Sequence, residues 1–133
     1  MDTTSTIAIF CGAGLGALAR WGLGLALNPI FPTLPLGTLA ANVLGGLLIG
    51  IALGLFSHFE MLAPALRLAI TTGFLGGLTT FSTFSAETAN LMLRAEYLWA
   101  ALLVLAHVAL SLLATFAGIG AVAVCFPPAG NIP

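Results

Sequence analysis

The chain has 133 residues, of which 60% are hydrophobic and only 5% charged, with a mean hydropathy of +1.17 and a formal net charge of −1. Its charged side chains are Asp2, Arg20, Glu60, Arg67, Glu87, Arg94 and Glu96, with no lysine. Such a composition excludes a soluble globular domain, and three basic residues exclude a nucleic-acid-binding surface. Uncharged runs longer than about 18 residues separate the charges and read as membrane spans.

Four spans fit the punctuation. The first runs from about Ser5 to Leu27 and stops at Asn28-Pro29, with "NPIFPTLP" as a loop in which Pro29, Pro32 and Pro35 forbid helix. Within it, "ALA" at Ala17 to Ala19 resembles a signal-peptidase site, but the basic leader such a peptide needs is missing, the first positive residue being Arg20. The segment is therefore kept as a span. The second runs from about Leu36 to Phe56 and is followed by the polar "SHFEMLAP". The third covers Ala65 to Leu93, with a turn at Arg94 to Tyr97. The last extends from Leu98 to Phe126, where Pro127 and Pro128 end it. Residues 1–133 are thus expected to form a single integral membrane domain, all-α, with four transmembrane helices. Cys11 and Cys125 fall inside spans without a CxxC spacing or neighbouring ligands and read as small packing residues.

A chain of this size buries little of its own surface, so assembly with a second copy is expected. Gly12 and Gly16, Gly73 and Gly77, and the run Gly46, Gly50, Gly54 have the four-residue spacing that lets helix backbones approach closely. They mark contact faces, within the chain or between chains. Thr38 and Asn42 continue the second-helix stripe, so a close-packed face also presents an amide. Orientation has little to set it: Arg67 favours one side, Arg94 and Arg20 the other. Two outcomes stay open, one fixed orientation or insertion both ways up, the latter allowing two copies to pair about an axis in the membrane plane.

The third span carries "GFLGGLTTFSTFSAE", in which Gly76 and Gly77 and the hydroxyls Thr79, Thr80, Ser82, Thr83 and Ser85 are poor helix formers. Backbone that unwinds at the membrane midplane, near Thr79, is tolerated only where it is buried in protein or lines a polar cavity. A helix broken there points to a binding site. Freed carbonyls at Gly76 and Thr79 suit a cation, and amides and hydroxyls suit an anion. Phe81 and Phe84, three apart, would share a face, and the positive edges of their rings can favour a small anion without a fixed counter-charge. In the last span His107, Ser111 and Thr115 recur every four residues and form a polar track. Arg20 would lie near a membrane face, where it can snorkel or attract anions, and Glu87 would cap or pair within a dimer. No nucleophile, base and orienting group occur together, which argues against an enzyme.

In "GAGLGALARW", "GTLAANVLGGLLIG" and above all "GFLGGLTTFSTFSAET", the chain resembles the Fluc fluoride channels, also called CrcB, over nearly its whole length. The resemblance implies an antiparallel, dual-topology homodimer in the plasma (inner) membrane of a prokaryote. Its two antiparallel pores would export fluoride passively and so protect the cell. It further implies a structural sodium ion (Na+) at the dimer centre, caged by main-chain oxygens of Gly76 and Thr79 from both subunits. Asn42, Phe81 and Phe84 would line the fluoride path, Arg20 would stand near its entrance, and His107, Ser111 and Thr115 would form its polar track. Gly46-Leu47 departs from the serine and phenylalanine frequent in the family. Two other readings are a small drug-proton antiporter, which would want a carboxylate in the first span where only Arg20 is found, and a scaffold in which glycines and hydroxyls serve packing alone.

Overall fold

A computed structural model describes residues 2–59 and 61–127; Met1, Glu60 of the second connection and Pro128 of the expected terminal stop lie outside them. Every regular element is helical. Helix α1 (Thr3–Leu27) starts two residues before the expected boundary because the Asp2 carboxylate accepts from the amides of Thr4 at 3.4 Å and Ser5 at 3.3 Å. A 3₁₀ turn (Asn28–Ile30) follows, and the Asn28 side-chain oxygen accepts from the Gly37 amide at 2.8 Å, tying the proline-rich loop to the start of helix α2 (Leu36–His58).

Helix α3 is composite: an α-helical turn Pro64–Leu68, a π-helical stretch Ala69–Leu75 and a final α turn Gly76–Leu78, together 64–78. Wide π turns of this kind are rare and cluster at functional sites. The chain is then extended at Thr79 (ψ 153°) and Thr80 (φ −151°, ψ 113°) before helix α4 (Phe81–Leu93) begins. Thr80 is the N-cap of α4, its hydroxyl accepting from the Thr83 amide at 3.1 Å. Ala95, at φ 59°, turns the chain into helix α5 (Tyr97–Cys125).

Among the described residues three continuous stretches are long and apolar enough to cross a membrane: Thr3–Ile30, Leu36–His58 and Tyr97–Cys125. The expected third span is two shorter helices meeting at a break at the residues expected, because two consecutive threonines leave the helical conformation. Apolar side chains such as Phe10, Leu15, Leu18, Leu105 and Phe116 point outward from these helices, as in a protein whose solvent is lipid tails. The chain is a multi-pass helical membrane protein.

Glycines set the approach of the helices inside the single chain. A Cβ at Gly46 would lie 2.6 Å from the Ser111 carbonyl oxygen, and one at Gly54 would lie 2.7 Å from Val122 Cβ, so the α2 stripe is filled by α5. Gly12 and Gly16 of α1 abut Gly73 and Phe74 of α3, and Gly77 abuts Ala13 and Ala17. All three motifs are therefore used within one protomer. Two small cores complete the packing: Ala41, Leu75 and Leu78 between α2 and α3, and Phe84, Leu91, Ala100 and Leu103 between α4 and α5. Cys11 and Cys125 are exposed on the helix surface and are not packing residues of this core.

Candidate functional site

A break in a buried helix leaves amides and carbonyls that must find other partners. Asn42, on the glycine stripe of α2, bonds both groups of Thr80, whose carbonyl as N-cap also takes the first bond of α4. Its Oδ1 accepts from the Thr80 amide at 2.7 Å, and its Nδ2 donates to the Thr80 carbonyl at 3.1 Å. The side-chain amide thus acts as a short strand partner for one residue. Arg20 supplies another: its Nε donates to the Gly77 carbonyl at 3.1 Å, one residue before the last α3 position. Its guanidinium is thereby drawn inward to the break, where a cation suits the C-terminal end of a helix. The sequence did not reveal this bond to the break.

Two cavities flank the break and share Thr80. The first, of about 470 Å³, is lined by Asn42, Thr79, Phe81, Phe84, His107 and Ser111, with Gly76 and Thr71 at its wall. Phe81 and Phe84 are neighbours, with ring centroids 5.6 Å apart and planes at 64°. Their surroundings differ, because Phe81 is 79% exposed and Phe84 only 8%. Phe84 also packs on the His107 ring, centroids 4.5 Å apart. Thr115, the third member of the expected track, lies outside the cavity lining; its hydroxyl donates back to the Ser111 carbonyl at 2.9 Å against the Gly46 and Gly50 contacts. Five of the expected pathway residues therefore meet in one cavity, and Thr115 and Arg20 do not.

Arg20 lines the second cavity, of about 500 Å³, with Thr38, Thr83 and Glu87. Glu87 Oε1 accepts from the Thr38 hydroxyl at 2.6 Å, so this carboxyl has a partner in its own chain. Glu87 Oε2 is buried without one among the described residues. Thr38 was visible in the sequence as a member of the α2 stripe. Thr71 could be found from sequence only by anticipating the π turn that carries it.

Hydroxyl bookkeeping narrows the donors available to a guest. The hydroxyls of Thr79, Ser85 and Thr88 donate to carbonyls one turn back at 2.8, 2.8 and 2.9 Å. The Ser111 hydroxyl has no hydrogen bond among the described residues, and Asn42 spends one of its two N–H groups on Thr80. Asn42 and Ser111 are thus the free donors of the first cavity.

The break also meets the requirement for a cation site in part. The amides that a continuous helix would aim at the Gly76 and Thr79 carbonyls are those of Thr80 and Thr83, and they are engaged by Asn42 and by the Thr80 hydroxyl. Both residues line the first cavity, and Gly76 is exposed. Two such oxygens fit a hard cation, and a second copy would be needed to complete its shell.

In membrane proteins, a helix interrupted beside cavities with polar side chains in their walls is characteristic of those that bind a small ion or polar solute. The family model described as "CrcB-like protein, Camphor Resistance (CrcB)" matches residues 7–119. The chain belongs to that family. It is 57% identical over 119 residues to a fluoride-specific ion channel FluC of Nitrosospira multiformis, covering 90% of this chain and 93% of that one. Relatives of the same name in Aromatoleum aromaticum and Chromobacterium violaceum are each 56% identical over 115 residues, covering 86% of this chain and 88% and 91% of theirs. The name they carry is that of a channel and not of an enzyme.

Proposed function

We propose that this protein is a passive, fluoride-selective channel that lets the anion leave the cell and so limits its toxicity. The observation that supports this reading best is the broken helix, held open by Asn42 and Arg20 beside a cavity with compact donors and an aromatic edge. Fluoride is a small, strongly hydrated acceptor, so stripping its water calls for short donors such as the Asn42 amide and the Ser111 hydroxyl. The ring edges of Phe81 and Phe84 add attraction without a fixed charge that would hold the ion too firmly. Arg20 raises the local anion concentration from the second cavity. His107 completes the polar wall, and Thr115 sits one turn beyond.

In this reading the working unit is an antiparallel homodimer of chains inserted both ways up in a prokaryotic inner membrane. α3 and α4 together make a fourth crossing, and two antiparallel pores run through the dimer. The exposed Phe81 ring and the exposed Gly76 are then covered by the second copy. Four main-chain oxygens, from Gly76 and Thr79 of each chain, would hold a sodium ion, which supplies a fixed positive centre that ties the two breaks together.

The test is fluoride efflux from liposomes, followed with a fluoride electrode under a valinomycin-clamped potassium gradient. Rapid fluoride release without release from matched chloride-loaded vesicles is the expected result. No release from a folded, correctly assembled dimer would overturn the reading.

A further inference from the structure

His107 is 4% exposed and stands on the wall of the first cavity. Its Nδ1 lies 3.0 Å from the Leu103 carbonyl oxygen, which can only accept, so the Nδ1 position carries a proton. In the neutral ring Nε2 is therefore a bare lone pair, and it is buried with no partner among the described residues. A lone pair repels an anion. To help one, Nε2 must gain a proton, and the resulting imidazolium N–H then needs an acceptor that the wall does not pair with it.

From this geometry we infer that His107 is a proton-linked anion ligand: a small anion entering the cavity and a proton arriving at Nε2 stabilise each other, and neither is well held alone. This rests on the fluoride-channel reading. Among the described residues no competing ionisable group faces the imidazole: the polar side chains on that wall are Asn42 from α2, Thr71 from α3, Thr79 and Thr80 at the break and Ser111 from α5, while Phe84 covers the ring from α4. Glu87 and Arg20 line the other cavity. Histidine is the side chain whose charge ordinarily changes between about pH 5 and 8, and an anion beside Nε2 draws protonation of this buried ring toward the upper part of that interval. Anion uptake should strengthen as pH falls through that interval.

The experiment reads the proton directly. His58 is the other histidine and is exposed, so the His58→Gln protein leaves His107 as its single imidazole. In detergent at about pH 7, starting from the neutral ring, added sodium fluoride is expected to move the His107 ring nitrogen signals toward those of imidazolium. The protonated fraction should rise at least about twofold, with sodium nitrate at equal concentration as the control. Fluoride efflux from liposomes, corrected for protein-free vesicles, should rise about threefold or more from about pH 8 to about pH 6. In His107→Gln, whose amide donates at every pH, that profile should be flat. Ring signals indifferent to fluoride, or a flat native profile at full flux, would overturn the linkage and leave the channel reading in place. Fluoride-dependent protonation without efflux would keep the site and remove the channel.

Discussion

Asn42 and the two phenylalanines separate support of the backbone from the proposed contact with the ion. Removing the Asn42 amide by Asn42→Ala leaves the Thr80 amide without a partner, at about 1–3 kcal/mol for a buried group, and strips one of two bonds from the Thr80 carbonyl, which as N-cap keeps the first bond of α4. Thermal unfolding in detergent should record a large loss of stability together with loss of flux. Phe81→Ile should behave differently, because a ring 79% exposed in the protomer contributes little to its core. Flux should fall about tenfold, the equivalent of one edge contact of about 1.4 kcal/mol, while chromatography shows an unchanged dimer. Normal flux in Phe81→Ile would remove this ring from the pathway. Phe84→Ile should lower both flux and stability, since Phe84 also belongs to the core formed with Leu91, Ala100 and Leu103. Sequence spacing put the two rings side by side, and they are. It could not show that one faces outward and the other inward, because the extended residues at Thr79 and Thr80 reset the helical phase just before them.

Glycine placement explains why these helices, almost uniformly apolar around their circumference, settle into one arrangement. Where lipid tails are as apolar as leucine, association depends on close van der Waals fit. A methyl group at Gly50 would strike the Thr115 carbonyl, so Gly50→Ala should cost about 1–3 kcal/mol or more through overpacking of α2 against α5. Gly22 meets nothing within 4 Å, and Gly22→Ala should be tolerated or gain up to about 1 kcal/mol from helix propensity. Equal thermal shifts in the two variants would contradict this account. The α4–α5 turn offers the reverse test. Ala95 holds a left-handed conformation while the Glu96 amide bonds the Leu91 carbonyl at 2.9 Å and the Ala95 amide bonds that of Met92 at 3.0 Å. Ala95→Gly should relieve roughly 1–2 kcal/mol of backbone strain and raise the unfolding temperature. Hydropathy and proline placed the three continuous helices within two residues of their ends, and weak helix formers placed the break. The π turns of 69–75 were not legible, because glycine, threonine and alanine there are equally compatible with α winding. The bond of Arg20 was not legible either, because its acceptor, the Gly77 carbonyl, comes from a helix 57 positions away in sequence.

At the scale of the whole molecule, orientation in the membrane rests on three arginines, and the structure shows where each is held. Arg67 donates to the Phe59 carbonyl at 2.9 Å and to that of Phe56 at 3.4 Å, closing the C-terminal end of α2, and its guanidinium lies 5.0 Å from the centre of the Phe56 ring. Arg94 is paired with Glu96 in the α4–α5 turn, and Arg20 is turned into the break. The positive-inside bias counts basic residues in short loops near span ends. With α3 and α4 read as a fourth crossing, as proposed, the two loop arginines would lie on opposite sides and oppose each other. The proposed insertion in both directions agrees with that balance and would supply oppositely oriented copies for an antiparallel pair. A single cysteine at position 3, in a background where the exposed Cys11 and Cys125 are replaced by serine, should react with a membrane-impermeant reagent from both faces of intact vesicles. Adding two or three lysines beside Arg94 should collapse that labelling to one face, and flux should fall with it, because chains all facing one way cannot form the antiparallel pair. Labelling from a single face in the unaltered chain, with flux intact, would overturn dual insertion; flux undiminished in the lysine variant despite one-sided labelling would show that the pore forms without an inverted partner.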